Sequence, residues 1–114
     1  MKGSVQVRNQ SLIIHVPKEL DHHSALPIRR QADDIMMHQN IREVVMDFSG
    51  TDFMDSSGIG MIIGRYKLIK GLGGNVFLVC SGGRIEKLIA LSGLTRLIPV
   101  YKTVDEALTN IKEG

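Results

Sequence analysis

A change of hydrophobic period in the middle of the chain constrains the fold more than any other feature. Residues 42–48, REVVMDF, are a β-branched apolar run of the kind found in a strand buried on both faces. From Ser57 onward the apolar residues recur at helical spacing instead, until the GLGG at 71–74 ends the pattern. A second buried strand, NVFLVC, follows at 75–80. Strand, helix and strand in this order predict two parallel strands joined by a crossover helix.

The sequences on both sides extend this α/β pattern. Val5 and Val7 alternate with polar residues and SLIIHV follows after RNQ, which predicts an N-terminal β-hairpin. Apolar spacing predicts a first helix that runs to about His38, with Pro27 in its first turn. We therefore expect a mixed, mostly parallel sheet with one antiparallel edge strand from the hairpin, and helices packed on the sheet.

The C-terminal third predicts two more helices and a strand. A helix that opens near Ile85 should end at Ser92, and LIPV at 97–100 should form a short strand. In the last helix Thr103 is the expected N-cap, with Glu106 at the capping-box position. Its apolar stripe consists of Val104, Ala107, Leu108 and Ile111.

Length and composition limit the classes of function. With 114 residues we expect one domain, residues 1–114. The net charge of +2 and the scattered basic residues, without interleaved aromatics, do not favour nucleic acid. The apolar runs are too short to span a membrane, and the single cysteine, Cys80, excludes an internal disulfide. We expect a cytoplasmic protein.

The stretch DFMDSSGIG at 52–60 is the strongest candidate site. It follows the carboxyl end of a buried strand, and ligands of parallel sheets bind at the carboxyl ends of the strands. It lacks the Gly-x-Ser-x-Gly pattern of a hydrolase nucleophile and the glycine-lysine pattern of a phosphate loop. The four histidines have no metal-ligand spacing. We therefore expect no catalytic residue, no metal and no cofactor.

Helix capping explains only part of this stretch. Asp55, Ser56 or Ser57 alone would suffice as an N-cap. The motif also includes Gly58 and is followed by Gly60 and Gly64, and a helical glycine costs about 0.8 to 1.0 kcal/mol relative to alanine. This cost suggests that another molecule approaches the helix closely.

Two segments resemble a known family. ELDHHSA at 19–25 and FMDSSGIGMIIGRYKLIKGLGG at 53–74 strongly resemble the sporulation anti-sigma-factor antagonists of the STAS domain family. The resemblance covers nearly the whole chain, including LSGL at 91–94. Pro17 and Lys18 depart from it, since Thr-Gly is common before the Glu-Leu-Asp.

The resemblance implies a binding switch. A cognate anti-sigma factor that is also a serine kinase would phosphorylate Ser56, and a serine phosphatase would reverse the reaction. The unphosphorylated protein would bind the anti-sigma factor and release a sigma factor, whereas the phosphorylated protein would not bind. ATP and magnesium would belong to the kinase, and the free antagonist is expected to be a monomer. The residues alone do not choose between Ser56 and Ser57.

The resemblance and the helical spacing together give a candidate contact surface. If Ile59, Ile62 and Ile63 face the sheet with Tyr66 and Ile69, then Met61 and Arg65 should face outward. The expected partner-binding residues are Asp21, Asp55, Ser56, Ser57, Gly58, Gly60, Met61, Gly64 and Arg65. The alternatives are a regulatory STAS domain of a stressosome-type or other stress-response switch, and a small hydrolase or nucleotide-binding protein.

Overall fold

The computed structural model describes residues 3–113, and the side chains up to Ile111. The domain prediction also includes Met1, Lys2 and Gly114, which lie outside the described residues. The strands are β1 Ser4–Arg8, β2 Ser11–His15, β3 Glu19–Leu20, β4 Glu43–Asp47, β5 Phe53–Met54, β6 Asn75–Val79 and β7 Val100–Tyr101. The helices are α1 His22–His38, α2 Ser56–Gly71, α3 Gly83–Leu91 and α4 Val104–Glu113, with a 3₁₀ turn at Leu94–Arg96.

The main sheet has five strands in the order β1-β2-β4-β6-β7. Only the β1–β2 hairpin pairs antiparallel, and the remaining neighbours pair in parallel. The predicted fold class, a mostly parallel sheet with an antiparallel edge strand, is confirmed. The crossovers that join the parallel strands carry α1, α2 and α3 in succession.

The two faces of the sheet build two hydrophobic clusters. Alternate residues of the central strands, such as Leu12, Val44 and Val76, pack with α1, α2 and α3 on one face. Ile13, Val45 and Val79 point to the other face and pack against Ala107 of α4. Both faces of the central strands are therefore buried, which is why these strands read as continuous apolar runs.

Two predictions about local structure are wrong. Pro27 lies inside α1 and not in its first turn, because the helix begins at His22. The predicted strand at 97–100 is instead Val100–Tyr101, and Leu97 is 62% exposed. The preceding residues turn as a 3₁₀ helix after Gly93, which has a positive φ of 82°, so strand pairing starts only when the amide of Leu78 donates to the Pro99 carbonyl.

A second, two-stranded sheet was not predicted. β3 pairs in parallel with β5, so that Glu19 lies beside Phe53 and Leu20 beside Met54. The buried hydroxyl of Thr51 donates to the Pro17 carbonyl at 3.0 Å, and the amide of Asp52 donates to the Lys18 carbonyl at 2.7 Å. These bonds join the segment before α1 to the segment before α2.

Two further observations concern the described residues as a whole. Within residues 3–113, none of the helices combines the length and the apolar character needed to cross a membrane. The same part of the chain contains no group of three or more His, Cys, Asp or Glu side chains that could hold a metal ion.

Candidate functional site

The small β3–β5 sheet brings the starts of two helices together. Asp21 and Asp55 directly follow the paired residues Leu20 and Met54, and the amide of Asp55 donates to the Leu20 carbonyl at 3.1 Å. Both aspartates have extended backbones and are the N-caps of α1 and α2. The two acidic residues predicted for one site therefore lie at the same edge of the molecule.

Asp21 caps α1 through a reciprocal pair of hydrogen bonds. Its Oδ1 accepts from the Ser24 amide at 2.8 Å, while Ser24 Oγ accepts from the Asp21 amide at 3.0 Å. The Ser24 amide bond is the main cause that lowers the pKa of the Asp21 carboxyl below its ordinary value. Because the carboxylate is exposed, it can also meet a partner.

Asp55, and neither serine, caps α2. Its Oδ1 accepts from the Ser57 amide at 2.8 Å. Ser56 is the first helical residue and is exposed, whereas Ser57 is half-buried. The Ser56 hydroxyl thus lies at the surface, beside the amides of the first helical turn.

The three glycines of the motif have different surroundings. Gly58 is buried, and a Cβ at this position would lie 2.5 Å from the Met54 sulfur. A Cβ on Gly60 or Gly64 would meet nothing within 4 Å. Packing within the protein thus accounts for Gly58 but not for Gly60 or Gly64.

The prediction that Met61 and Arg65 face outward is wrong. Met61 is 1% exposed and Arg65 is 5% exposed, whereas Ile63, expected to face the sheet, is 37% exposed. α2 is apolar on most of its surface, so spacing alone did not fix its rotation. The stripe that packs inward consists of Gly58, Met61, Ile62, Arg65 and Ile69.

A charge pair with α1 explains why Arg65 can be buried. Arg65 Nε lies 2.8 Å from Asp33 Oδ1, and Nη2 donates to Oδ2 at 3.2 Å. Burial lowers the pKa of the guanidinium, and the Asp33 carboxylate opposes that shift. The pair connects the two helices that start at the candidate site.

Sequence reasoning missed two residues, one at this site and one that pairs the two helices that start there. Phe53 is 45% exposed and lies on β5, three positions before Ser56. Its alternation with buried Met54 was a signal, but two residues are too few to establish a period. Asp33 was missed as well, because its importance depends on Arg65, which lies 32 positions further along the chain.

The histidines give no support to a catalytic serine. Nδ1 of His15 contacts Asp47 at 2.9 Å and Nε2 contacts Gln6 at 2.9 Å, so this ring links the ends of β2 and β4 to the middle of β1. His22 and His23 are exposed at the start of α1. Among the described residues, no histidine hydrogen-bonds to Ser56 or Ser57.

Comparison with known proteins gives concordant results. The model of the STAS domain matches residues 3–107. An anti-sigma F factor antagonist from Paenibacillus polymyxa is 36% identical over 101 residues, which cover 89% of this chain and 86% of the relative.

Two solved structures are also similar. The anti-sigma factor antagonist SpoIIAA in its unphosphorylated form superposes with a TM-score of 0.87 at 24% identity, covering 98% of this chain and 97% of that chain. The Bacillus cell fate determinant SpoIIAA in the phosphorylated form gives a TM-score of 0.79 at 25% identity, covering 96% of this chain and 98% of that chain.

Proposed function

This chain belongs to the STAS domain family, and from that premise we propose that it is an anti-sigma factor antagonist controlled by phosphorylation of Ser56. The unphosphorylated form binds an anti-sigma factor that is also a serine kinase, and thereby releases a sigma factor during sporulation. A serine phosphatase restores the binding form. The observation that carries the proposal is the exposed Ser56 at the first position of α2, beside Asp55 and near Asp21.

The comparisons support this proposal from two sides. The 36% identical relative is described as an anti-sigma F factor antagonist. A structurally similar SpoIIAA is known in a phosphorylated form. Ser56 at the start of α2 is exposed, so it could carry such a modification without disturbing the core.

A phosphate on Ser56 fits the free protein. The first amides of a helix are not used within the helix, and the positive end of its dipole favours an anion. Asp55 already engages the Ser57 amide, so the cap does not depend on the Ser56 hydroxyl. Phosphorylation therefore leaves the fold intact.

The same phosphate opposes a tight complex. It adds a charge of about −1.5 to −2 next to Asp55. A charge left buried and unpaired costs about 3 to 5 kcal/mol, which at 1.4 kcal/mol per decade lowers affinity by roughly two to three and a half orders of magnitude. Phosphorylation of one exposed side chain is thus enough to prevent binding to the anti-sigma factor.

The partner surface extends along α2 through Gly60 and Gly64. Glycine destabilises the helix at both positions relative to alanine, although a Cβ there would meet no other atom within 4 Å. Close approach of the partner backbone explains that cost. A Gly64→Arg variant that folds should lose binding, and retained binding would exclude this part of the surface.

Asp21 and Ser57 complete the contact area that we propose, as neighbours of Ser56 at the helix starts. Gly58, Met61 and Arg65 do not belong to it, since all three are buried within the protein. The chain itself needs no cofactor and performs no catalysis in this scheme, because ATP and magnesium act in the kinase. We propose a cytoplasmic protein that is monomeric when free.

The decisive experiment combines the purified protein, the anti-sigma kinase of the same organism, ATP and magnesium, and locates phosphate by peptide mass spectrometry. We expect phosphate on Ser56, none on Ser56→Ala, and unchanged labelling of Ser57→Ala. Binding to the kinase should then be lost in the phosphorylated protein. An active kinase that labels neither serine would overturn the switch.

A further inference from the structure

The β3–β5 sheet has a buried face and an exposed face. Leu20 and Met54 point inward and are 0% and 4% exposed. Side chains alternate along a strand, so Glu19 and Phe53, side by side in the register, leave from the opposite face. Asp21 and Asp55 continue both strands with extended backbones, and their Cβ atoms leave on that outer side as well.

Phe53 is unusual on this outer face. Its ring is 45% exposed, whereas Phe48, five positions earlier, is 1% exposed. The neighbouring side chains on this face are acidic: Glu19 and Asp21 are exposed and Asp55 is half-buried. Lys18 and Asp52 precede the two strands, lie 3.6 Å apart as a charge pair and are open to water.

We propose that Phe53 is the aromatic anchor of the partner interface, which inserts into an apolar socket with a basic rim on the anti-sigma factor. This inference rests on the proposed function and adds the chemistry of the partner surface. Exposed aromatic side chains at the centre of an interface commonly supply a large part of the binding energy. Ser56 follows β5 after the single residue Asp55, so the exposed face of the β3–β5 sheet lies next to the proposed phosphorylation site.

Charge complementarity favours this occupant over a second copy of the chain. Two copies that met through this face would bring carboxylates against carboxylates, which costs energy. A rim of arginine or lysine on the partner would instead pair with Glu19 and Asp21. The carboxylates at the rim of the interface stay in contact with water, so they mainly raise the association rate. The ring of Phe53, buried in the complex, provides most of the affinity.

The test measures the affinity of the unphosphorylated protein for the anti-sigma factor by isothermal titration calorimetry. Phe53→Ala should weaken binding by about 30-fold or more, as expected for a hot spot. Phe53→Leu, which keeps a large apolar side chain, should lose less affinity than Phe53→Ala. Leu91→Ala is the matched control, since Leu91 is 88% exposed at the far end of α3 and should have no effect.

Additional measurements separate the anchor from a structural role. Urea unfolding should show that Phe53→Ala remains folded at the temperature of the titration. Raising the salt from about 0.05 to about 0.5 M should slow association of the original protein, and Glu19→Gln should reduce that dependence.

The outcomes distinguish this inference from the proposed function. If the original protein binds the anti-sigma factor and a folded Phe53→Ala variant binds within about three-fold of it, the anchor is excluded while the antagonist function stands. An association rate that does not respond to salt excludes the basic rim. If the original protein fails to bind at all, the proposed function and the anchor both fail.

Discussion

At the level of single residues, Asp55 and Ser56 divide two tasks that the sequence places side by side. Asp55 accepts the Ser57 amide and caps α2, while the Ser56 hydroxyl stays at the surface. A phosphoacceptor that also capped its helix would have to replace the hydroxyl's hydrogen bond with one from a phosphate oxygen whenever it was modified. Placing the cap one residue earlier lets the modified residue change without cost to the helix.

The lowered pKa of Asp21 predicts a specific dependence of stability on pH. A carboxyl whose pKa is lower in the folded protein than its ordinary value of 3.8 stabilises the fold above that value. This stabilisation is lost as the pH falls through the lower, folded pKa. We expect Asp21→Asn, which can still accept the Ser24 amide but carries no charge, to lose less stability than the original protein between about pH 5 and pH 2.

Urea unfolding at constant ionic strength measures this difference in the free energy of unfolding. Asp21→Ala, which removes the cap at every pH, is the reference for the loss of the hydrogen bond itself. Identical pH profiles for Asp21→Asn and the original protein would show that the charge of Asp21 does not contribute.

At the level of elements, the glycines of α2 separate packing from function. Gly60→Ala and Gly64→Ala should each stabilise the free protein by about 0.8 to 1.0 kcal/mol, because alanine is the better helix former and its Cβ meets nothing. Gly58→Ala should not give this gain, since its Cβ would crowd Met54, whose own Cβ lies only 3.2 Å away.

Thermal and urea unfolding of the three variants test this order. Gly58→Ala serves as the internal control, because it makes the same chemical change in the same helix. If Gly60→Ala and Gly64→Ala destabilise the free protein, packing within the protein requires glycine at these positions. The argument that a partner approaches closely there would then lose its basis.

The Arg65–Asp33 pair predicts an asymmetric response to mutation. Asp33→Ala leaves the buried guanidinium without its partner and should cost about 2 to 3 kcal/mol, less than a fully buried pair because Asp33 is 39% exposed. Arg65→Met leaves only a carboxylate that can reach water and should cost about 1 kcal/mol or less. Asp33→Ala combined with Arg65→Met should cost less than the sum of the two single substitutions, because neither charge is left without its partner.

A double-mutant cycle from urea unfolding provides the coupling energy between the two positions. Equal costs for the two single substitutions would mean that the guanidinium finds other partners or water when Asp33 is removed. The cycle also reports how firmly α1 is held against α2, and hence how firmly the two helix starts are held together.

At the level of the whole molecule, the sequence predicted the architecture because each layer has its own local signal. Strands buried on both faces are continuous apolar runs such as 42–48, and α4 shows a clear stripe around Ala107. The order of these signals, together with the preference for crossover connections between parallel strands, was sufficient to predict the sheet. The start of α2 was predicted to within one residue, whereas the start of α1 was placed too late, with Pro27 in the first turn.

The remaining features depend on contacts between distant segments. β3 and β5 have two residues each, too short for a period, and exist because Thr51 and Asp52 bond to the loop at Pro17 and Lys18. The rotation of α2 depends on Asp33 of α1, which lets an arginine take a buried position. The outer face with Phe53 follows from that small sheet, so the chemistry of the site was only partly readable from the motif.

Phosphorylation should change the surface of the molecule and not its fold. The core lies on both faces of the main sheet, whereas Ser56 is exposed at the end of one helix and its hydroxyl supports no cap. We expect the Ser56-phosphorylated protein to keep its circular dichroism spectrum and to unfold with a free energy equal to, or about 0.3 to 1 kcal/mol above, that of the unmodified protein. Unmodified protein carried through the same purification is the control. A phosphorylated form that is markedly less stable would mean that binding is lost through local unfolding, and the switch would then be conformational instead of a charge at the contact.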